Sequence, residues 1–248
     1  MKEHSLECDA CVGDETHGKM LELKLTSAPV TTTATSKTGS TVTTKPSLAY
    51  KDMGYSENTS HVEEAMREYE KFNKGKVKEN HREAWSHIAR YWDYIGLHDA
   101  AEQTRNGYYR KQPNKWHWSA AFIQYCMRGN EAFKRLNAGT GKANHRHYYM
   151  AALANTSKLE TLQPDDWVYF TTTKAKQIGY EMQIGDIILQ RPFGKHHGDI
   201  LTPEGRIGGN LGKPGSCQPA SDSRASSRPM AIMTQDPKAK ELLRQAGG

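Results

Sequence analysis

Apolar residues first recur with helical spacing just after Ser60. Val62, Ala65, Met66 and Tyr69 lie three and four residues apart, which predicts an amphipathic helix over 61–72. Ser60 and Glu63 have the spacing of a capping box, a start signal for it. After Gly75, the spacing of Trp85, Ile88, Trp92 and Ile95 predicts a core helix over 79–96. Residues 98–115 are polar and predict an irregular stretch with a turn at Asn106-Gly107. A third helix is expected over 118–128, burying Trp118, Phe122, Tyr125 and Cys126 and stopping near Gly129; a fourth is expected over 145–154.

Further along, the pattern shortens to strands. Residues 167–170 are short and aromatic, while 185–190 and 198–201 are apolar runs bounded by Gly and Pro. Residues 206–208 fit a third short strand in that region, 212–229 read as a Gly/Pro/Ser loop, and 237–246 as a polar terminal helix. Helices followed by a small antiparallel sheet make an α+β fold.

The 248 residues suffice for one sizeable domain, or a domain with an appendage. Of the 22 residues in 26–47, nine are Thr and four are Ser, too little apolar surface to offset the entropy of ordering. Residues 1–50 are therefore expected to be a largely disordered tail and linker, and 51–248 the folded domain. The sequence lacks an apolar run of the ~18 residues a membrane helix needs, so membrane insertion is not expected. No apolar stretch follows Met1 as in a Sec signal. A net charge of +6 suits an anionic partner. Nucleic acid is not expected, because the basic residues are scattered and the aromatic ones follow core periodicity. No cofactor is implied. His4, Cys8, Cys11 and His17 are zinc-type ligands, but their spacing matches no common module, and an incidental tail is the expectation.

Two stretches suggest hydrolytic chemistry. Ser119 falls at the first turn of the third helix, where free backbone N–H groups and the helix dipole favour a developing anion. Serine in that position also serves as an ordinary N-cap. In 194–201, strand alternation puts His197, Asp199 and Leu201 on one face and His196, Gly198 and Ile200 on the other. An imidazole facing Ser119 would serve as general base. Asn210, in Gly208-Gly-Asn210, or Asp199 could orient it. His145 and His147 are further candidates for the base; in a helix, one at most would face the cleft. Cys126 shares a helix face with Ser119 but lies ~10 Å along the axis, so a buried structural thiol is expected. Glu83, Asp93, Asp186 and Asp199 are the carboxylates near the core that a glycan-cleaving enzyme would need.

Trp118-Ser-Ala-Ala-Phe122, Gly185-Asp-Ile-Ile188 and His197-Gly-Asp-Ile-Leu201 resemble, in that order, motifs of the papain-like NlpC and CHAP cell-wall hydrolases. The chain looks closer still to the bacterial domain-of-unknown-function family 2272. That similarity rests on Tyr91-Trp92, Trp118–Ile123 with Met127-Arg128, His145-Arg-His-Tyr148 and Gly208-Gly-Asn210, across residues 80–212. The resemblance implies a papain-like core and cleavage of an amide bond in peptidoglycan. Ser119 stands where the better-known families carry Cys; it would be the nucleophile, His197 the base, and Asn210 or Asp199 the orienter. Trp118, His196, His145 and Tyr148 would line the substrate site. Such an enzyme, without a Sec signal, would reach a target periplasm as a secreted effector, countered by an immunity protein, or aboard a virion. The alternatives are a muramidase-like enzyme and a non-catalytic wall-binding module.

Overall fold

In a computed structural model, the structure describes residues 60–108, 117–136, 143–190, 197–211, 218–222 and 230–247; at 210, 211, 218–222 and 230 it describes the backbone alone. The expected tail and linker, with His4, Cys8, Cys11 and His17, lie outside the described residues, as does His196.

The described part is mixed α+β, as the pattern predicted. Helices α1 (Ser60–Lys71), α2 (Arg82–Tyr94), α3 (His98–Arg105), α4 (Ser119–Cys126), α5 (Glu131–Leu136) and α6 (Arg146–Thr156) come first. Strand β1 (Val168–Thr171), helix α7 (Thr172–Ile178), strands β2 (Ile187–Gln190), β3 (His197–Thr202), β4 (Gly205–Leu211), β5 (Gln218–Asp222) and β6 (Met230–Thr234), and helix α8 (Pro237–Gln245) follow. The six described strands form one antiparallel sheet in the order β1-β6-β2-β3-β4-β5. Three of the helices and two of the strands depart from expectation: α3 occupies the stretch read as irregular, α5 and α7 were not foreseen, and β5 and β6 flank 223–229 in and after the expected loop.

Strand alternation gives the sheet two different faces. Tyr169, Ile187, Leu189, Ile200, Ile207 and Met233 join the core made by α1, α2, α4, α5 and α6. Val168, Phe170, Ile188 and Ile232 point the other way, onto Leu159, Ala175, Tyr180 and the Ala239/Leu243 stripe of α8. The start of α8 is fixed chemically: Pro237 opens it, and the Asp236 carboxylate accepts from the Lys238 N–H.

Helix α4 is apolar all round because it is buried between α2 and strands β3 and β4. Phe122 and Trp118 lie so close to β4 that a Cβ at Gly209 would come within 2.6 Å of Phe122 and 2.8 Å of Trp118. Only a residue without a side chain lets this helix sit so near the strand, and the approach fixes where Ser119 stands.

Candidate active site

Ser119 is the first residue of α4, and its hydroxyl does not act as a helix cap. Its Oγ lies 2.8 Å from Nε2 of His145. The first intrahelical bond runs from the Phe122 N–H to the Trp118 carbonyl, so the amides of Ser119, Ala120 and Ala121 precede the helical ladder. Trp118 anchors this turn. Its indole N–H donates to Glu79 Oε2 at 3.0 Å, and its ring stacks on Phe72 and Tyr91. Trp118 has no exposed surface, which corrects the expectation that it lines a substrate site. A large aromatic beside the site is here a structural peg.

His145 immediately precedes α6, whose start is marked by the Asn144 side chain accepting from the Arg146 N–H at 2.8 Å. Tyr148 lies one turn on, on the same helix face, and its hydroxyl bonds Nδ1 of His145. His147, between them, is exposed. Tyr148 is fully buried and packs against Phe133. Burial, and next the charge of Asp199, push its phenol well above the usual tyrosine range, so it keeps its proton. The result is a line of three groups: Ser119 hydroxyl, His145 imidazole, Tyr148 hydroxyl.

The expected pairing of Ser119 with His197 is therefore corrected: the serine meets a different imidazole. The reason is strand alternation. Gly198 faces α6, where a Cβ would come within 2.8 Å of His145 Nδ1 and 2.9 Å of the Tyr148 oxygen. His197 and Asp199, its neighbours along β3, consequently face the other side of the sheet. There His197 Nε2 lies 2.8 Å from Asp199 Oδ1, and the Gln190 amide donates to Oδ2 at 3.3 Å. Gly208, opposite Asp199, makes room for this pair; a Cβ there would sit 1.9 Å from Oδ1. The imidazole rings of His145 and His197 are 6.1 Å apart, centre to centre.

Asp199, expected as an orienter, lies beside His197 but on the far face from Ser119. Asn210 belongs to β4 at a register irregularity between Gly208 and Leu211, and its side chain lies outside what is described. The structure thus assigns Gly208 and Gly209 of this motif to packing on opposite faces. Tyr148 and His145, expected at the substrate site with His145 also a candidate base, form a hydrogen-bond chain with Ser119. Cys126 is buried and unpaired by disulfide, and burial pushes its thiol well up, which removes thiolate chemistry.

His145 stood among the further candidates for the base, with His147, and the structure brings His145 rather than His197 to Ser119. The sequence reading missed Glu79, a fully buried acid that holds the Trp118 indole. Of the four core carboxylates, Glu83 is exposed and Asp93 pairs with Arg105 and His98. Asp186 and Asp199 are both buried. Among the described residues, no group of three His, Cys, Asp or Glu could hold a metal ion, and no helix is long and apolar enough to cross a membrane. No protein-family model, curated protein or solved structure matches this chain.

Proposed function

We propose that this chain is a hydrolase with a papain-like core that cuts an amide bond in the peptide part of peptidoglycan, with Ser119 as nucleophile and His145 as its base. The observation that carries the reading is the 2.8 Å contact of the Ser119 hydroxyl with His145 Nε2 at the start of α4. Serine is a weak nucleophile at its own pKa and needs a base within hydrogen-bond reach. The imidazole takes the hydroxyl proton as Oγ attacks the scissile carbonyl. The first-turn amides of α4 stabilise the resulting oxyanion. The proton then passes from Nε2 to the departing amine, and water releases the acyl group with the same imidazole as base.

The choice of wall peptide rests on the motif resemblance and on the net charge of +6, which suits an anionic polymer. Against glycan cleavage stands the burial of Asp186 and Asp199, since that chemistry needs two carboxylates reaching one sugar. Ser119 keeps only 6% of its surface exposed, so substrate must displace whatever covers it. Delivery to a target periplasm, as an effector with a cognate immunity protein or aboard a virion, belongs to the same proposal.

The test is digestion of purified sacculi by the wild type, Ser119→Ala, His145→Ala and His197→Ala, with products identified by mass. New amine ends should appear with the wild type and fall by about 10²-fold or more in the Ser119 and His145 variants. His197→Ala should retain the greater share of activity. Reducing sugar ends would show glycan cleavage instead. Absence of products, with the protein still pelleting on sacculi, would leave a wall-binding module.

A further inference from the structure

We infer that Tyr148 donates its hydroxyl hydrogen to His145 Nδ1 and so stores the imidazole with its proton on Nε2, facing Ser119, the tautomer that cannot act as base. The inference rests on the serine–histidine reading above and adds a control to it. It follows from counting donors. Tyr148 has no exposed surface, and the hydrogen bond described for its hydroxyl runs to Nδ1 of His145. A buried hydroxyl hydrogen is ordinarily matched with an acceptor. If Nδ1 carried the proton, ring N–H and phenol O–H would compete across one contact, and the phenol hydrogen would lose its acceptor. Ser119 differs: it keeps 6% of its surface where Tyr148 keeps none, and its hydroxyl can accept from Nε2 without depending on His145 as the acceptor of its own hydrogen. The chain of bonds therefore runs from Tyr148 through His145 to Ser119, opposite to the direction that nucleophilic attack requires.

Two features hold Tyr148 as the donor. The phenol is buried and close to the Asp199 charge, so it stays protonated. Its position is fixed by Phe133 on one side and by the bare backbone of Gly198 on the other. An acceptor at Nδ1, such as a carboxylate or an amide oxygen, would instead hold the productive tautomer. Arming the site takes one proton off Nε2 to water and adds one from water at Nδ1, with no net change, while the phenol hydrogen turns away. An unmatched buried hydrogen disfavours that state by roughly 10-fold. Tyr148 is thus a positioning residue that sets which ring nitrogen carries the proton.

The test is ¹⁵N NMR of the imidazoles in the full chain, at a pH where His145 is neutral, with His145→Gln used to assign the signal. The wild type should show a bare Nδ1 and a protonated Nε2. In Tyr148→Phe the Nδ1 signal should move toward the protonated position, with the backbone amide spectrum checking that the fold is kept. A protonated Nδ1 in the wild type overturns the inference, as does a Tyr148→Phe spectrum in which the ring signals stay put. The wild-type measurement decides alone if the variant does not fold. Because no turnover is involved, the outcome is independent of whether the protein cuts peptidoglycan.

Discussion

At position 208 a methyl group would overlap a carboxylate oxygen held on the facing strand, 1.9 Å away. Gly208→Ala must push Asp199 and His197 aside within a buried layer, at a cost of about 1–3 kcal/mol. Thermal unfolding should show a fall of several degrees in Tm; an unchanged Tm would mean that the pair relaxes freely. Gly198→Ala acts on the other face. Its Cβ would press on His145 Nδ1 and on the Tyr148 hydroxyl rather than on the sheet's own contacts. Displacing an imidazole by a fraction of an ångström from its serine should lower kcat about 10-fold or more. Sacculus digestion by this variant, compared with its Tm, should therefore show a larger loss of activity than of stability. Equal losses would place the two groups in packing alone.

Single elements carry their own balance of burial and charge. Asp186 stands just before β2, enclosed by the Tyr180 hydroxyl, the Gln183 N–H and Thr234. Burial raises its carboxyl from 3.8 to about 7, more than these hydrogen bonds lower it. Between those values the folded chain holds a proton that the unfolded chain has lost. The corresponding stability is full below pH 3.8 and is lost as pH rises through about 7, an effect of about 4 kcal/mol. Unfolding midpoints from pH 4 to 8 should fall with pH in the wild type and flatten in Asp186→Asn. A slope that survives the substitution would locate the titration elsewhere.

Most helices were legible because their apolar stripes are long: Trp85 to Ile95 announces α2, and Trp118 to Cys126 announces α4. Short elements were not. Helix α5 is only six residues and α7 seven, lengths at which periodicity is weak. Strand β6, Met-Ala-Ile-Met-Thr, lies between β1 and β2 in the sheet, yet it lacks the alternation and β-branched run that mark a strand. The alternation of His197 and Gly198 was readable, but which of them faces α4 depends on the sheet's packing. That single binary choice decided the identity of the serine's partner. Ser119 itself could be placed because its role depends on a local feature, the start of a helix.

On the scale of the whole molecule, helices stand on one face of the sheet ahead of α7 and α8 on the other, and the hydroxyl–imidazole pair lies on the first face against bare strand backbone. The charge of +6 acts at this scale too. Retention on sacculi should weaken as salt rises from about 0.05 to 0.5 M, since the Debye length then shrinks from about 14 to 4 Å. Pelleting that is indifferent to salt would remove the electrostatic part of the account. The most direct test of its centre is covalent trapping with a serine-directed fluorophosphonate, mapped by peptide mass. The account predicts one adduct, on Ser119, that forms far more slowly in His145→Ala and at a similar rate in His197→Ala. A folded protein left unlabelled at Ser119, or labelled there equally fast without the His145 ring, would contradict it.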